Sequence, residues 1–416
     1  CIRDSENMKP RFSRLTIHNL NTIEDINNCE VANSDSFSEF IIIDGILGTG
    51  INGKLRENIK RAIEVINSSN GLTISVDVPS GLDPLTGQIH DVAVKPQYTV
   101  SFHKVKTGIH KAGEEKVGGI VTCDIGIPIE AEYFINHGDM IKLNKRSLKS
   151  HKGNNGKVLI VGGSKEYSGA PSIAGLAAIG AGADLVYVAA PESAALAIST
   201  HPDLIVNSLK GDYLTAIHAE EILKMADKVD AVLLGPGAGI NDETGKLLNI
   251  LASKIKKPLV LDADALKQVK PQIIKNRDDV ILTPHIFEFK SFFGKDIKLD
   301  LDSYDFAEVD ENISEFQQVV KQISGAVVVK GAIDLVIQKN KFKLNKSGNP
   351  GMTVGGTGDA LAGIATSLLS KGLNAFDAAT LAIFINGLAG DEAYLEKGYG
   401  FGATDVVAHI GKVIKG

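Results

Sequence analysis

Residues 349–369, NPGMTVGGTGDALAGIATSLL, pass from a glycine-rich turn into an Ala- and Leu-rich segment, with one carboxylate, Asp359, at the junction. Gly351, Gly355, Gly356 and Gly358 allow tight backbone geometry with no Cβ in the way. The helix expected to follow leaves unpaired N–H groups at its first turn, and these attract phosphate oxygen. Asp359 has two readings there. It satisfies one backbone donor as a helix cap, or it is a base that takes a proton from a hydroxyl approaching a phosphoryl donor. No GK[ST] follows the glycines, so the turn is not a Walker P-loop.

Outward from this turn the pattern is strand, loop, helix. KVLIVGG (157–163), DLVYVAA (184–190), DAVLLGPG (230–237), PLVLDADAL (258–266), DVILTPH (279–285) and GAVVVKG (325–331) each read as a strand that delivers a loop. APSIAGLAAIGAGA (170–183) is a small-residue helix able to pack closely, and further helices are expected over about 358–370 and 374–390. VVVKGAIDLV (327–336) places Lys330 at a strand end beside Gly331. Ligands of open α/β sheets collect beyond the carboxyl ends of the strands.

A similar series precedes it. EFIIIDGILGTG (39–50) and GLTISVDVPSG (71–81) read as strands ending in an acid and a turn; YTVSF and GGIVTCDIG are two more. RENIKRAIEVINSS (56–69) has Ile59, Ala62, Ile63 and Ile66 at helical spacing. Strands alternating with helices imply parallel sheets covered on both faces. The basic, polar stretch KLNKRSLKSHKGNNGK (142–157) marks a linker, giving domains over 1–141 and 157–416 with 142–156 between them. The acidic segment 294–315 reads as solvated helix or loop.

Composition bounds the function. The 416 residues are 44% hydrophobic, enough for two domains, and the net charge of −6 leaves no nucleic-acid footprint. Cys1, Cys29 and Cys123 stand too far apart for a disulfide framework, which points to a reducing, cytoplasmic compartment. No apolar run is long enough to span a bilayer. The start, CIRDSENMKP, carries neither a targeting segment nor an initiator Met, so the chain is read as lacking its natural beginning.

NPGMTVGGTGDALAGI resembles the anion-hole turn of ribokinase-like enzymes. Residues 157–189, LGPGAG (234–239), LDADAL (261–266), TPHIFEF (283–289) and VVVKGA (327–332) agree, in order, with the ADP- or ATP-dependent dehydratases of hydrated NADH and NADPH. The resemblance implies a three-layer α/β/α domain that phosphorylates the hydroxyl of S-NAD(P)HX and lets phosphate leave, restoring NAD(P)H with release of AMP (or ADP) and phosphate. It makes Asp359 the base and a hydrate contact. Lys330, Gly331, Gly355, Gly356, Thr357 and Gly358 would hold the ADP or ATP, with Mg²⁺ expected. Gly237 and His285 would line the hydrate pocket. His285 also reads as a loop histidine bonded to backbone, Lys330 as a solvated side chain, and Asp262 and Asp264 as pocket organisers or helix caps. At Asn386 the chain departs from relatives that carry His before Gly387; Asn cannot take a proton but can donate a hydrogen bond. Asp391 is expected to pack or cap.

IIIDGILGTGINGKLRE (41–57) and ISVDVPSGLDPLTG (74–87) resemble the Rossmann-like epimerase of the same repair pathway, which interconverts R and S hydrates. That resemblance assigns proton transfer and a substrate contact to Asp77, K⁺ ligation to Asp44 and Ser80, and hydrate phosphates to Gly48, Thr49 and Gly50. Local backbone support is the alternative for both acids. The family's GNNGGDG-type loop is missing upstream of Glu39, so the epimerase site is expected to be incomplete. Oligomerisation, tetrameric or higher, is implied by the resemblance. A ribokinase-like kinase for a sugar or vitamin precursor, and a silent nucleotide-binding scaffold, are the alternatives. The Lys-, Asn- and Ile-rich usage favours a microbial, ADP-using protein.

Overall fold

The computed structural model describes residues 41–48, 54–143, 146–147, 149–295 and 306–415, and the chain divides after Pro128 into two compact units.

In the first unit, β1 (Ile41–Asp44), β2 (Leu72–Val76), β3 (Tyr98–Phe102) and β4 (Gly119–Cys123) form a parallel sheet in sequence order. Parallel neighbours need crossovers, and the helix α1 (Glu57–Ser68) supplies the first, with Ile63 of the expected apolar stripe fully buried. A small core of Val78, Leu82, Ile109, Ala112 and Val117 lies beside the sheet. Asp44 ends β1 and Asp77 follows β2, so both acids emerge at the carboxyl edge.

The second unit holds a nine-stranded sheet: β5 (Lys157–Val161), β6 (Leu185–Pro191), β7 (Leu204–Leu209), β8 (Ala231–Leu234), β9 (Leu259–Leu261), β10 (Val280–Leu282), β11 (Ala326–Val329), β12 (Asp334–Gln338) and β13 (Lys341–Asn345). The order is β13-β12-β11-β10-β9-β8-β5-β6-β7, parallel except for the terminal β11-β12-β13 meander. Alternate residues of each strand point to opposite faces. Val158, Ile160, Leu233 and Val328 join one buried cluster, while Leu159, Val161, Leu234 and Val329 join the other. Each cluster is roofed by helices, which gives the three layers expected. α2 (Gly169–Gly180), α3 (Thr357–Ser370), α4 (Ala375–Lys397) and α5 (Ala403–Lys415) cover the first face. The small residues of α2 have a reason: a Cβ on Gly363 of α3 would overlap Ala174 O of α2, so the two helices touch backbone to backbone.

The boundary falls earlier than the composition change suggests. Residues 129–143 pack on the second unit: Ile135 N donates to Leu344 O (2.8 Å) and Lys142 pairs with Asp377 (2.8 Å). In the stretch read as linker, the Asp184 carboxylate accepts from Gly153 N (2.9 Å) and Asn155 N (3.0 Å). Its polarity therefore serves a local anchor. In the acidic segment 294–315, Phe306–Val320 includes the end of a helix whose Ile313 and Phe316 are buried.

Candidate active site

The loops after β5, β8, β9, β10 and β11 converge on one edge of the second sheet, facing the first turn of α3. Gly356 precedes that helix at φ +98°, and a Cβ there would crowd Ile173 Cδ1 (2.7 Å) and Ala403 Cβ (2.9 Å), so only glycine fits. Gly355 differs: a Cβ on it meets nothing within 4 Å, leaving open space over the turn. Ala360 N closes the first helical bond to Gly356 O (3.0 Å), so the N–H groups of Thr357, Gly358 and Asp359 have no partner within the helix.

Asp359 sits third in α3, and no described residue hydrogen-bonds or pairs with its carboxylate. Burial pushes its pKa up to about 7; Asp262 and Asp264 add to this and Lys330 opposes it. Lys330 Nζ lies 3.6 Å from Asp262 Oδ1, and 3.3 Å from where a Cβ on Gly358 would stand. The lysine is thus wedged between a buried acid and the helix turn, which accounts for a glycine at 358.

Asp262 and Asp264 organise the surrounding loops. Asp262 is buried and accepts from Thr283 Oγ1 at 2.7 Å. Asp264 accepts from Gly239 N (2.9 Å) and from Lys267 Nζ (3.3 Å), which ties down the loop that carries Gly237. Between them Ala263 has φ +49°, a region that costs an L-residue energy and persists only under constraint. Gly237, at φ +59°, packs against Tyr167, with a Cβ falling 2.9 Å from Tyr167 Cβ. His285 caps Ile286–Phe293: its Nδ1 accepts from Phe287 N (3.2 Å) and Glu288 N (3.3 Å). The backbone-bonded reading of His285 therefore describes its geometry, and its position beside the Lys330 backbone keeps it at the site. Burial pushes the imidazole below its usual value, which favours the neutral ring.

On the other side of Lys330 lies a cavity of about 430 Å³, lined among others by Lys330, Gly331, Asp334, Asn349, Thr357 and Asn386. The Thr357 hydroxyl donates to Met352 O (2.8 Å), which leaves its backbone N–H as the group free for a ligand. Asn386 is buried; Nδ2 donates to Thr357 O (3.3 Å) while Oδ1 finds no partner. Asp391 packs as expected and also holds the roof, accepting from Gly348 N (2.9 Å) and Asn349 Nδ2 (3.0 Å). Asp334 also lines this cavity, although in the sequence it is only one acid at the start of a strand. No cluster of three His, Cys, Asp or Glu side chains among the described residues is placed to hold a metal.

In the first unit, Asp44 and Ser80 are fully buried and in direct contact. Asp44 accepts from Ser80 Oγ (2.6 Å), Ser80 N (2.9 Å) and Ser75 Oγ (2.7 Å), joining β1 to the PSG turn. Asp77 stands at φ +67° and accepts from Phe102 N (3.0 Å) and Lys106 Nζ. Lys106 also donates to Phe102 O (2.9 Å), and nothing in its sequence context sets this lysine apart. Gly48 lies in the loop after β1 with open space about it, and Thr49 and Gly50 fall outside the described residues.

Comparison with known proteins bears on both units. A family model described as NAD(P)H-hydrate dehydratase matches residues 158–412, and one described as YjeF-related protein N-terminus matches 4–108. The bifunctional NAD(P)H-hydrate repair enzyme Nnr of Methanothermobacter thermautotrophicus is 47% identical over 378 residues, covering 90% of this chain and 72% of its own. The Nnr of Pyrobaculum aerophilum is 41% identical, covering 90% and 74%. In fold, the chain is similar to the ADP/ATP-dependent NAD(P)H-hydrate dehydratase of Bacillus subtilis co-crystallised with ATP/Mg²⁺. That match has a TM-score of 0.54 at 22% identity over 70% of this chain and 99% of the other. No described helix is long and apolar enough to cross a membrane.

Proposed function

The chain belongs to the bifunctional NAD(P)H-hydrate repair enzyme family, and from that premise we propose that its second unit dehydrates S-NAD(P)HX to NAD(P)H at the expense of ADP or ATP. The observation that carries this reading is Asp359: a half-buried carboxylate pushed up to a pKa of about 7 by desolvation, facing Lys330 at a glycine turn with free N–H groups. A base works best with a pKa near the operating pH. Asp359 takes the proton of the C6 hydroxyl as its oxygen bonds to the terminal phosphorus and the bond to the departing AMP or ADP breaks. The N–H groups of Thr357, Gly358 and Asp359, with Lys330, hold charge on the moving phosphoryl oxygens. Phosphate then leaves C6 with its bonding electrons, pushed by the ring nitrogen, and loss of a C5 proton re-forms the double bond.

The nucleotide occupies the cavity beside Gly331 and Thr357, and the hydrate lies on the side of Gly237 and His285. Mg²⁺ binds characteristically through nucleotide phosphates and one or two carboxylates, and Asp262, buried beside Lys330, is the carboxylate here that would serve it, with Asp359 kept for the proton. The first unit, in this proposal, epimerises R and S hydrates through Asp77, with K⁺ at Asp44 and Ser80. A carboxylate beside a hydroxyl is an oxygen donor pair of the kind a hard monovalent cation takes, once Ser80 turns its proton from Asp44. A cytoplasmic homo-oligomer, tetrameric or higher, completes the proposal. The kinase alternative finds no support in these relatives.

The test supplies S-NADHX, Mg²⁺ and ADP or ATP to the folded chain. Recovery of dihydropyridine absorbance with release of phosphate is expected. A stable phosphorylated product would favour a kinase, and no turnover with either donor would overturn the reading. Adding R-NADHX with and without K⁺ assays the first unit separately.

A further inference from the structure

We propose that Asp334 and Asn345 form a positioning pair that sets the distance between the two walls of the nucleotide cavity. The inference rests on the nucleotide reading above and adds to it residues that touch the walls and not the reacting atoms.

The two are cross-strand partners in the β12–β13 hairpin, at its open end next to the cavity. Each faces a different wall. Asp334 Oδ1 accepts from Gly331 N (3.0 Å), closing the turn that begins at Lys330. Its other oxygen accepts from Asn345 Nδ2 (2.9 Å). Asn345 Oδ1 in turn accepts from Ser347 N (3.3 Å) and Asn345 Nδ2 also donates to Ser347 O (3.1 Å), while the one Ser347 hydroxyl proton lies within reach of both Asn345 Oδ1 (2.8 Å) and Phe384 O of α4 (3.1 Å) and serves one of them at a time. A Cβ on Gly387 would overlap Ser347 Oγ, so that contact is as close as backbone allows. One chain of hydrogen bonds therefore runs from the lysine turn, through the pair, to the helix behind the opposite wall.

Both residues are buried, at 9% and 1% exposure, so the carboxylate stands at this spot against its preference for water. Burial is also the first cause of its raised pKa, about 6. A buried acid tolerated beside a phosphate-binding lysine needs a reason, and the reason here is geometric. Only an acceptor with two free oxygens can take the Gly331 N–H and the Asn345 amide together without presenting a donor to either. The lysine backbone is fixed from the other side, Lys330 N donating to Pro284 O (2.9 Å). Without Asp334 the turn after it has no anchor, and Lys330 keeps its place while the Gly331 wall drifts.

The pair predicts a reciprocal exchange. Asp334→Asn keeps an oxygen for Gly331 N but sets two amide N–H groups against each other at Asn345. Asn345→Asp sets two carboxylates against each other. The double exchange restores one donor facing one acceptor at the pair, and Ser347 N still finds an oxygen at 345, although the bond from Asn345 Nδ2 to Ser347 O (3.1 Å) is lost. ADP binding is measured by calorimetry, and dehydration by kcat and KM for ADP, in the full chain, with circular dichroism as a check on folding.

Each single variant is expected to weaken ADP binding about tenfold or more, the scale of a lost charge-assisted hydrogen bond, with kcat within about twofold. The double exchange recovers part of the loss and binds ADP better than either single variant. Asn345→Ala, which removes the donor without adding charge, moves KM in the same direction and keeps the test open if an exchange variant misfolds. Unchanged ADP binding in Asp334→Asn overturns the inference, as does a double exchange no better than the worse single variant. Failure of the folded wild type to bind ADP or ATP at all would overturn the proposed function itself, and is read before any variant.

Discussion

Asp44 and Asp359 both sit where a β/α chain turns at its functional edge, yet they are treated in opposite ways. Asp44 accepts three close hydrogen bonds from Ser75 and Ser80, so its oxygens are fully engaged by the protein. Asp359 has no such partner and is pushed toward neutrality by burial and by two further acids. A carboxylate saturated with donors is held still; one left without donors beside two further acids is poised to exchange a proton near neutral pH. The difference separates an acid that organises its unit from one suited to act on a substrate.

The comparison is broken most directly at Asp359. Asp359→Asn keeps the shape and the glycine turn, so ADP binding should persist while dehydration falls by about 10²–10⁴. Turnover and ADP affinity measured on one preparation decide it; near-normal turnover would remove Asp359 from the catalytic role. The same variant should gain stability relative to wild type as pH rises. A carboxylate whose folded pKa is raised stabilises the fold below its ordinary range and loses that contribution as pH climbs through about 7, whereas the amide has nothing to lose.

Asp44 should fail in the other currency. Asp44→Ala strands the Ser80 N–H and the Ser75 hydroxyl in a fully buried position, while the Ser80 hydroxyl keeps Leu47, at a cost on the order of 1–3 kcal/mol for each group left unpaired. Thermal denaturation should show an early transition, with dehydration at 25 °C unchanged. An unaltered melt would mean that water replaces the carboxylate freely and that the saturation is incidental.

The gentlest test sharpens the contrast without mutation. The kcat/KM for the hydrate should rise as pH climbs through about 7, where Asp359 becomes the anion that accepts a proton, by up to about tenfold per pH unit on the acid limb. A flat profile over this range would remove Asp359 from proton transfer.

The sequence announces some of this and conceals the rest for physical reasons. Strands and loops were legible because most apolar runs are followed within two residues by Gly, Pro or Asp; Lys330 was legible because it ends such a run and Asp359 because it follows a glycine-rich turn. The packing of 129–143 was not, because Tyr133, Phe134 and Ile135 carry no periodic signal and their partner, Leu344, lies far along the chain. Asp77 and Ala263 look ordinary in sequence, since a positive φ leaves no mark unless the residue is glycine. Asp334 and Asn345 become a pair only through hairpin register.

That hairpin turns through two residues, Lys339 and Asn340, and Lys339 already takes φ +53° to make the tight bend. Exposed hairpin tips are ordinarily where a chain absorbs extra residues most easily. Here the tip is a ruler. One residue added to one arm shifts the pairing and turns that arm's side chains to the other face, so Asp334 and Asn345 would part although neither had changed. A surface turn remote from the cavity is therefore under length control, and its size is part of how the protein fits a nucleotide.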